Sequence, residues 1–184
     1  MYRGVVYSLA LLLLVSCGGN KTQSSKINQD DMPSFFLNPP KETGFLFGVG
    51  MSEQQNLQLA KESADLRARK EIATVLGQRV SSLVKDYLGQ AGIGSTAEVT
   101  ELSQSVTRAL SEVELVGATI EKREHIKGKM YSLAKYPLDE SVKKIINNAV
   151  EKSFTSKEAL LSEFRAKKGF EELDNQLNKL NAKE

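Results

Sequence analysis

Gly44-Phe45-Leu46-Phe47-Gly48-Val49-Gly50 is apolar throughout, with glycines at its exit. A short apolar run bounded in this way reads as a buried strand. Directly after it, Ser52 with Gln55 makes a capping box for a helix start. Leu57, Ala60, Ala64, Ala68, Ile72, Val75, Val80, Leu83 and Tyr87 then recur mostly every three or four residues, which is one apolar helix face. The alanines in that face let the helix lie close on a sheet. From Glu53 to Leu88 such a helix is about 54 Å long, more than a small domain's width. Gly77 is therefore expected to mark a bend or break. A strand feeding a long alanine-faced helix is the expectation that this stretch sets.

Downstream, Gly89-Gln90-Ala91-Gly92-Ile93-Gly94-Ser95-Thr96 matches the spacing of a phosphate loop, but Ser95 occupies the position of the lysine. The stretch also follows a helix rather than a strand, so it reads as a glycine-capped linker. Gly48-Val49-Gly50 has the first half of a dinucleotide-binding turn, yet Glu53 stands where the third glycine belongs. Ser95 with Glu98 caps a second helix carrying Val99, Leu102, Val106 and Leu110. Val116, Ala118 and Ile120 alternate with smaller or polar neighbours and predict a strand towards Ile126. Lys127-Gly128-Lys129 turns the chain, and Met130 to Tyr136 returns as the partner strand. Pro137 breaks it, and Leu138, Val142, Ile145, Ile146 and Ala149 mark a third helix.

Upstream, Pro33-Ser34-Phe35-Phe36-Leu37-Asn38-Pro39-Pro40 reads as an extended, proline-punctuated segment in which Phe35 and Phe36 cover a core edge. From Glu151 onwards the chain is helix-prone and charge-balanced. Phe170, Leu173, Leu177 and Leu180 form a 3-4-3 stripe after Gly169. Such a stripe more often packs within its own chain than on a partner. It is nevertheless the best sequence candidate for an oligomer or partner contact. The predicted order is thus strand, long helix, helix, strand, strand, helix, with a small antiparallel sheet on the long helix and a helical C-terminal extension. An all-helical chain is the competing expectation, because the strand signals are short and the helical ones long.

The N-terminus speaks to location. Arg3 precedes an apolar run from Val5 to Val15 broken only by Ser8. That run spans about 16 Å as a helix, roughly half of a bilayer core of about 30 Å. It is too short to cross a membrane and suits a secretory signal. The run ends in Leu14-Val15-Ser16-Cys17, which resembles the bacterial lipobox. That resemblance implies diacylglycerol on the Cys17 thiol, cleavage before Cys17 and acylation of the new amine. It also explains the single cysteine, since a lone free thiol in an exported protein is exposed to oxidation and mispairing. Two or three acyl chains, at about 0.8 kcal/mol per buried methylene, anchor a protein stably without a transmembrane helix. Gly18 rather than Asp after the cysteine favours the outer membrane, by resemblance to bacterial sorting signals. Residues 18–31 are polar and form a tether with a reach of roughly 20 Å.

Composition excludes several functions. Lys+Arg is 25 and Asp+Glu 23, a net charge of +2, so no basic excess for nucleic acid is present. The absence of Trp and 7% aromatics leave little for base or sugar stacking. With one His and one Cys, a His/Cys metal cluster cannot be built within the chain. His125 lies beside the hairpin turn among charged neighbours and reads as a solvated strand-end side chain. No catalytic, cofactor-binding or metal-ligating residue is assigned, and no small-molecule substrate is evident.

Pro33-Ser34-Phe35, Asn38-Pro39-Pro40, Gly48-Val49-Gly50, the alanines at 60, 64 and 68, and the 130–136 strand together resemble the Lpp-twenty lipoproteins. These are membrane-associated proteins of about twenty kilodaltons from Gram-negative bacteria. The resemblance covers about residues 33–150, and 169–180 is similar to the tail of some members. Phe35 stands where members commonly carry Trp, and it fills such a pocket without an indole donor. The resemblance implies an α+β domain with a small antiparallel sheet against a long helix and no known catalytic residues. It also implies kinship with a flagellar basal-disk lipoprotein and with the N-terminal domain of a flagellar assembly protein.

The expected organisation is a signal peptide over 1–16, a tether over 17–32, an α+β domain over 33–150 and a helical extension over 151–184. The expected function is that of an outer-membrane lipoprotein, held by acyl chains on Cys17. It would have a structural or assembly role through protein partners or self-association. A periplasmic binding module or activator of an envelope or flagellar complex is the alternative, and an enzyme is disfavoured.

Overall fold

The computed structural model describes residues 32–113, 115 and 117–183. Among them a one-turn helix α1 (Ser34–Leu37) precedes strand β1 (Phe45–Ser52), the long helix α2 (Leu57–Ala91) and α3 (Thr96–Ser111). Strands β2 (Thr119–Ile126) and β3 (Lys129–Pro137) follow, then α4 (Glu140–Ser153), α5 (Glu158–Ala166) and α6 (Gly169–Lys183). The three strands form one antiparallel sheet in the order β1-β3-β2, so β1 pairs with the last strand in sequence. The mixed class and the sheet on a long helix agree with the expectation from sequence.

Strand alternation gives the sheet two faces. Leu46, Gly48 and Gly50 of β1 and Met130, Ser132, Ala134 and Tyr136 of β3 are buried towards α2. Gly48 and Gly50 are needed for that contact. A Cβ on Gly50 would stand 2.1 Å from the Ala64 carbonyl oxygen, and one on Gly48 2.4 Å from that of Ala68. Glycine on the strand and alanine on the helix thus bring two backbones together. On the other face, Phe35 and Phe36 of α1 cover Tyr131 and Leu133, with Phe47, Val49 and Met51 half-buried around them. Phe36 meets Tyr131 edge to face at 5.0 Å.

The helix α2 runs unbroken for 35 residues, about 52 Å. Its first half lies on the sheet, and its second half receives α3 and α6. Gly77 does not bend it. A Cβ there would meet the Thr107 carbonyl oxygen at 2.9 Å, so Gly77 is the place where α3 comes closest. The helix starts later than the sequence suggests. Ser52 still pairs with Met130 in the sheet, and Asn56 is the cap, its Oδ1 accepting from the Leu59 N–H at 3.0 Å. Leu57, placed on the apolar face by spacing, is 57% exposed. At the other end Gly92 closes the helix in a left-handed conformation, φ 63°.

Three further boundaries differ from expectation. Residues 34–37 are helical rather than extended, with Pro33 at the N-cap. Strand β2 begins at Thr119, after Gly117 at φ 92° has redirected the chain, and Val116, where the sequence places its start, lies outside the described residues. Leu138 stays with the sheet, its N–H donating to the Gly44 carbonyl at 2.8 Å, and Asp139 caps α4 instead. The C-terminal helices share the main core. Phe154, Leu160, Phe164, Leu173 and Leu177 are buried in the same cluster as Val80, Val84 and Leu110. The boundary placed at residue 150 therefore falls within one continuous apolar interior.

Candidate interaction surface

Cys17, the expected lipid-attachment residue, lies outside the described residues. Of the C-terminal stripe, Leu173 and Leu177 are buried against the chain's own core. Phe170 is half-buried and meets Phe164 edge to face at 4.9 Å. The stripe thus packs within the chain through these three residues. The side chain of Leu180 is outside the described set.

The two loop motifs are filled by the protein itself. Gly48-Val49-Gly50 sits inside β1, where its glycines meet α2 rather than a helix N-terminus. At the start of α3, Ser95 caps the helix and the Glu98 carboxylate bonds the Ser95 N–H at 2.8 Å and its Oγ at 2.7 Å. These bonds, together with the Lys157 charge, hold the exposed Glu98 below the usual carboxylate range. A carboxylate therefore stands where a bound phosphate would have to sit. His125 is exposed near the end of β2. Among the described residues no group of three His, Cys, Asp or Glu side chains could hold a metal ion, and no helix is long and apolar enough to cross a membrane.

A polar network that spacing could not reveal ties α2 to the sheet. Arg123 of β2 donates from Nε and Nη2 to the two oxygens of Asp65 at 2.8 and 2.7 Å. Ser132 Oγ of β3 adds 2.7 Å to Asp65 Oδ1. Burial pushes the Asp65 carboxyl up, but the bonds from Arg123 and Ser132 and the charges of Arg123 and Arg69 outweigh it and lower it overall. All three groups satisfy one another, so the network is a clasp between layers rather than a reactive centre.

The outer edge of β1 is also closed by side chains. Glu71 accepts from the Val49 N–H, and Arg67 one turn earlier on α2 donates to the Met51 carbonyl. Two side chains thus stand in for a neighbouring strand and protect the edge. The edge strand β2 carries Glu121, Lys122, Arg123 and Glu124 and a register shift between Ile120 and Lys122, which discourages pairing with another chain.

What stays open is apolar surface on the first turns of α2. Leu57, Leu59 and Leu66 are 57, 51 and 66% exposed. Leu59 and Leu66 are seven residues apart and so share one stripe. The same stripe continues through Ala73, which is buried. Leu66 borders a depression shared with Ala73, Ser111 and Val113. The spacing of Leu59 and Leu66, off the alanine face, was the available sequence signal. Comparison of this chain with models of known protein families, with curated proteins and with solved structures finds no match.

Proposed function

We propose that the protein is a lipid-anchored lipoprotein of the bacterial outer membrane, with a structural or assembly role exercised through protein–protein contacts. The observation that carries the contact role is the uncovered stripe of Leu59 and Leu66 on α2. Large aliphatic side chains at that exposure and spacing form the ready half of a helix-to-helix contact. The anchor rests on the apolar run ending at Cys17, and the envelope setting on the likeness to the Lpp-twenty lipoproteins. The buried polar chemistry around Asp65 is internally satisfied, which fits a scaffold.

A photo-crosslinking residue at position 62, exposed on α2 between Leu59 and Leu66 and introduced in intact cells, tests the contact. Links to a second copy or to envelope ring components, lost when Leu59→Glu and Leu66→Glu are combined, support assembly. A single enzyme partner, with activity restored by the purified protein, would support the activator reading instead. No position-specific link from position 62, or links untouched by the double substitution, would remove the stripe from the function.

A further inference from the structure

We propose that the cleft between the second half of α2 and the start of α6 binds a compact organic cation, a primary amine carried on a single ring. The cleft has a volume of about 270 Å³. Drug-sized pockets run from about 300 to 1,000 Å³, so this one admits one ring rather than a nucleotide. Its floor is apolar, with Leu83 and Leu173 beside the ring of Phe164. Tyr87 meets Phe164 edge to face at 5.4 Å, so two aromatic rings line the same space. The Tyr87 hydroxyl donates to the Lys167 carbonyl, which fixes that ring against the loop before α6.

The rim gives the charge preference. Asp86 from α2 and Glu172 from α6 both border the cleft, and no Lys, Arg or His lines it. Glu172 accepts from the Gln176 amide at 2.6 Å, a neutral donor rather than an ion-pair partner. The two lysines before α6 are engaged elsewhere: Lys167 donates to the Ala91 carbonyl at 2.6 Å, and Lys168 pairs with Glu171 at 3.4 Å. An ammonium entering the mouth would meet two carboxylates while its ring lies on apolar and aromatic surface, where cations are also favoured by the π faces. An anion of the same shape would be repelled by both carboxylates.

The test uses the full chain with isotope-labelled backbone amides, titrated with phenethylamine and, separately, with 3-phenylpropionate. The site predicts saturable amide shifts over residues 83–90 and 169–176 with phenethylamine, and at least tenfold weaker binding of the propionate. Asp86→Asn combined with Glu172→Gln should erase that preference while leaving amide shifts elsewhere unchanged. Shifts scattered over the surface, equal affinity for both probes, or a preference that survives the double substitution would each overturn the proposal. This outcome is independent of whether Cys17 is acylated.

Discussion

Arg123 grips Asp65 with two parallel hydrogen bonds of 2.8 and 2.7 Å, joining the edge strand β2 to the middle of the sheet-facing turn of α2. The two partners are unequally placed. The Asp65 side chain is 11% exposed, whereas that of Arg123 is 36% exposed. Removing the arginine leaves a buried carboxylate with only the Ser132 hydroxyl bond and the charge of Arg69, while removing the aspartate leaves a guanidinium that can reach water. A broken, fully buried pair costs about 3–5 kcal/mol, and the open side of Arg123 reduces that figure. Arg123→Ala should therefore lose about 2 kcal/mol, and Asp65→Ala less than that. Urea denaturation of both variants checks the order, and equal losses would contradict it.

The same clasp sets an acid dependence. Asp65 is held below its ordinary value in the folded state, so its contribution is full above the unfolded carboxylate's range, near pH 4. It is lost as pH falls through the lowered folded value. Asp65→Asn, which has no charge to titrate, should flatten the acid limb of the stability curve relative to the parent. A parent and variant whose curves run parallel below pH 4 would contradict this.

The glycine-to-alanine contact across the sheet gives a sharper prediction. A methyl group at Gly50 would fall 2.1 Å from a backbone oxygen of α2, which no side-chain rotation relieves. Gly50→Ala should lose about 3 kcal/mol or more, and Gly48→Ala a similar amount. Thermal denaturation reads the result. A change below about 1 kcal/mol would mean that α2 sits further from the sheet.

Much of this architecture was legible because it rests on periodicity. The alanines at 60, 64 and 68 announced a helix lying close to another backbone, and Gly48 and Gly50 are the surface it lies on. The boundary between strand and helix was not legible, because Ser52 and Asn56 are both good caps and only pairing with Met130 keeps Ser52 in the strand. The sheet order β1-β3-β2 was hidden for a related reason, since hydrophobic pattern does not say which strand a strand will meet. Asp65 and Arg123 lie 58 residues apart, and nothing local links them. The stripe of Leu173 and Leu177 was visible as an apolar face. Its burial against the same core as Val84, which creates the cleft with α2, depends on tertiary packing alone.

Two glycines within α2 should respond with opposite sign. Gly89 has open space around the position of a Cβ, so alanine there gains helix propensity with no clash. Gly89→Ala should stabilise the protein by about 0.5–1 kcal/mol. At Gly77 the same gain is opposed by contacts at 2.9 Å to the Thr107 carbonyl and 3.2 Å to Ser111 Oγ. Gly77→Ala should therefore destabilise, by about 1 kcal/mol after the propensity gain is subtracted. Midpoints in the same denaturant series decide the matter, and two shifts of like sign would refute the account of Gly77 as the α3 contact.

The anchor makes the last prediction. If Cys17 carries acyl chains, each buried methylene holds the protein to the bilayer by about 0.8 kcal/mol, and among the described residues no helix is long and apolar enough to cross a membrane. Cys17→Ser should leave the circular dichroism and melting point of the folded domain unchanged. It should also release the protein from the membrane fraction or leave it unprocessed. Metabolic labelling with a clickable palmitate, followed by mass spectrometry of the N-terminal peptide, should place the label on Cys17 of the parent. The alternative is an ordinary signal peptide whose cleavage region happens to contain a cysteine. That alternative predicts a free thiol or cleavage after residue 17, with no label, and either finding would detach the protein from the lipoprotein reading.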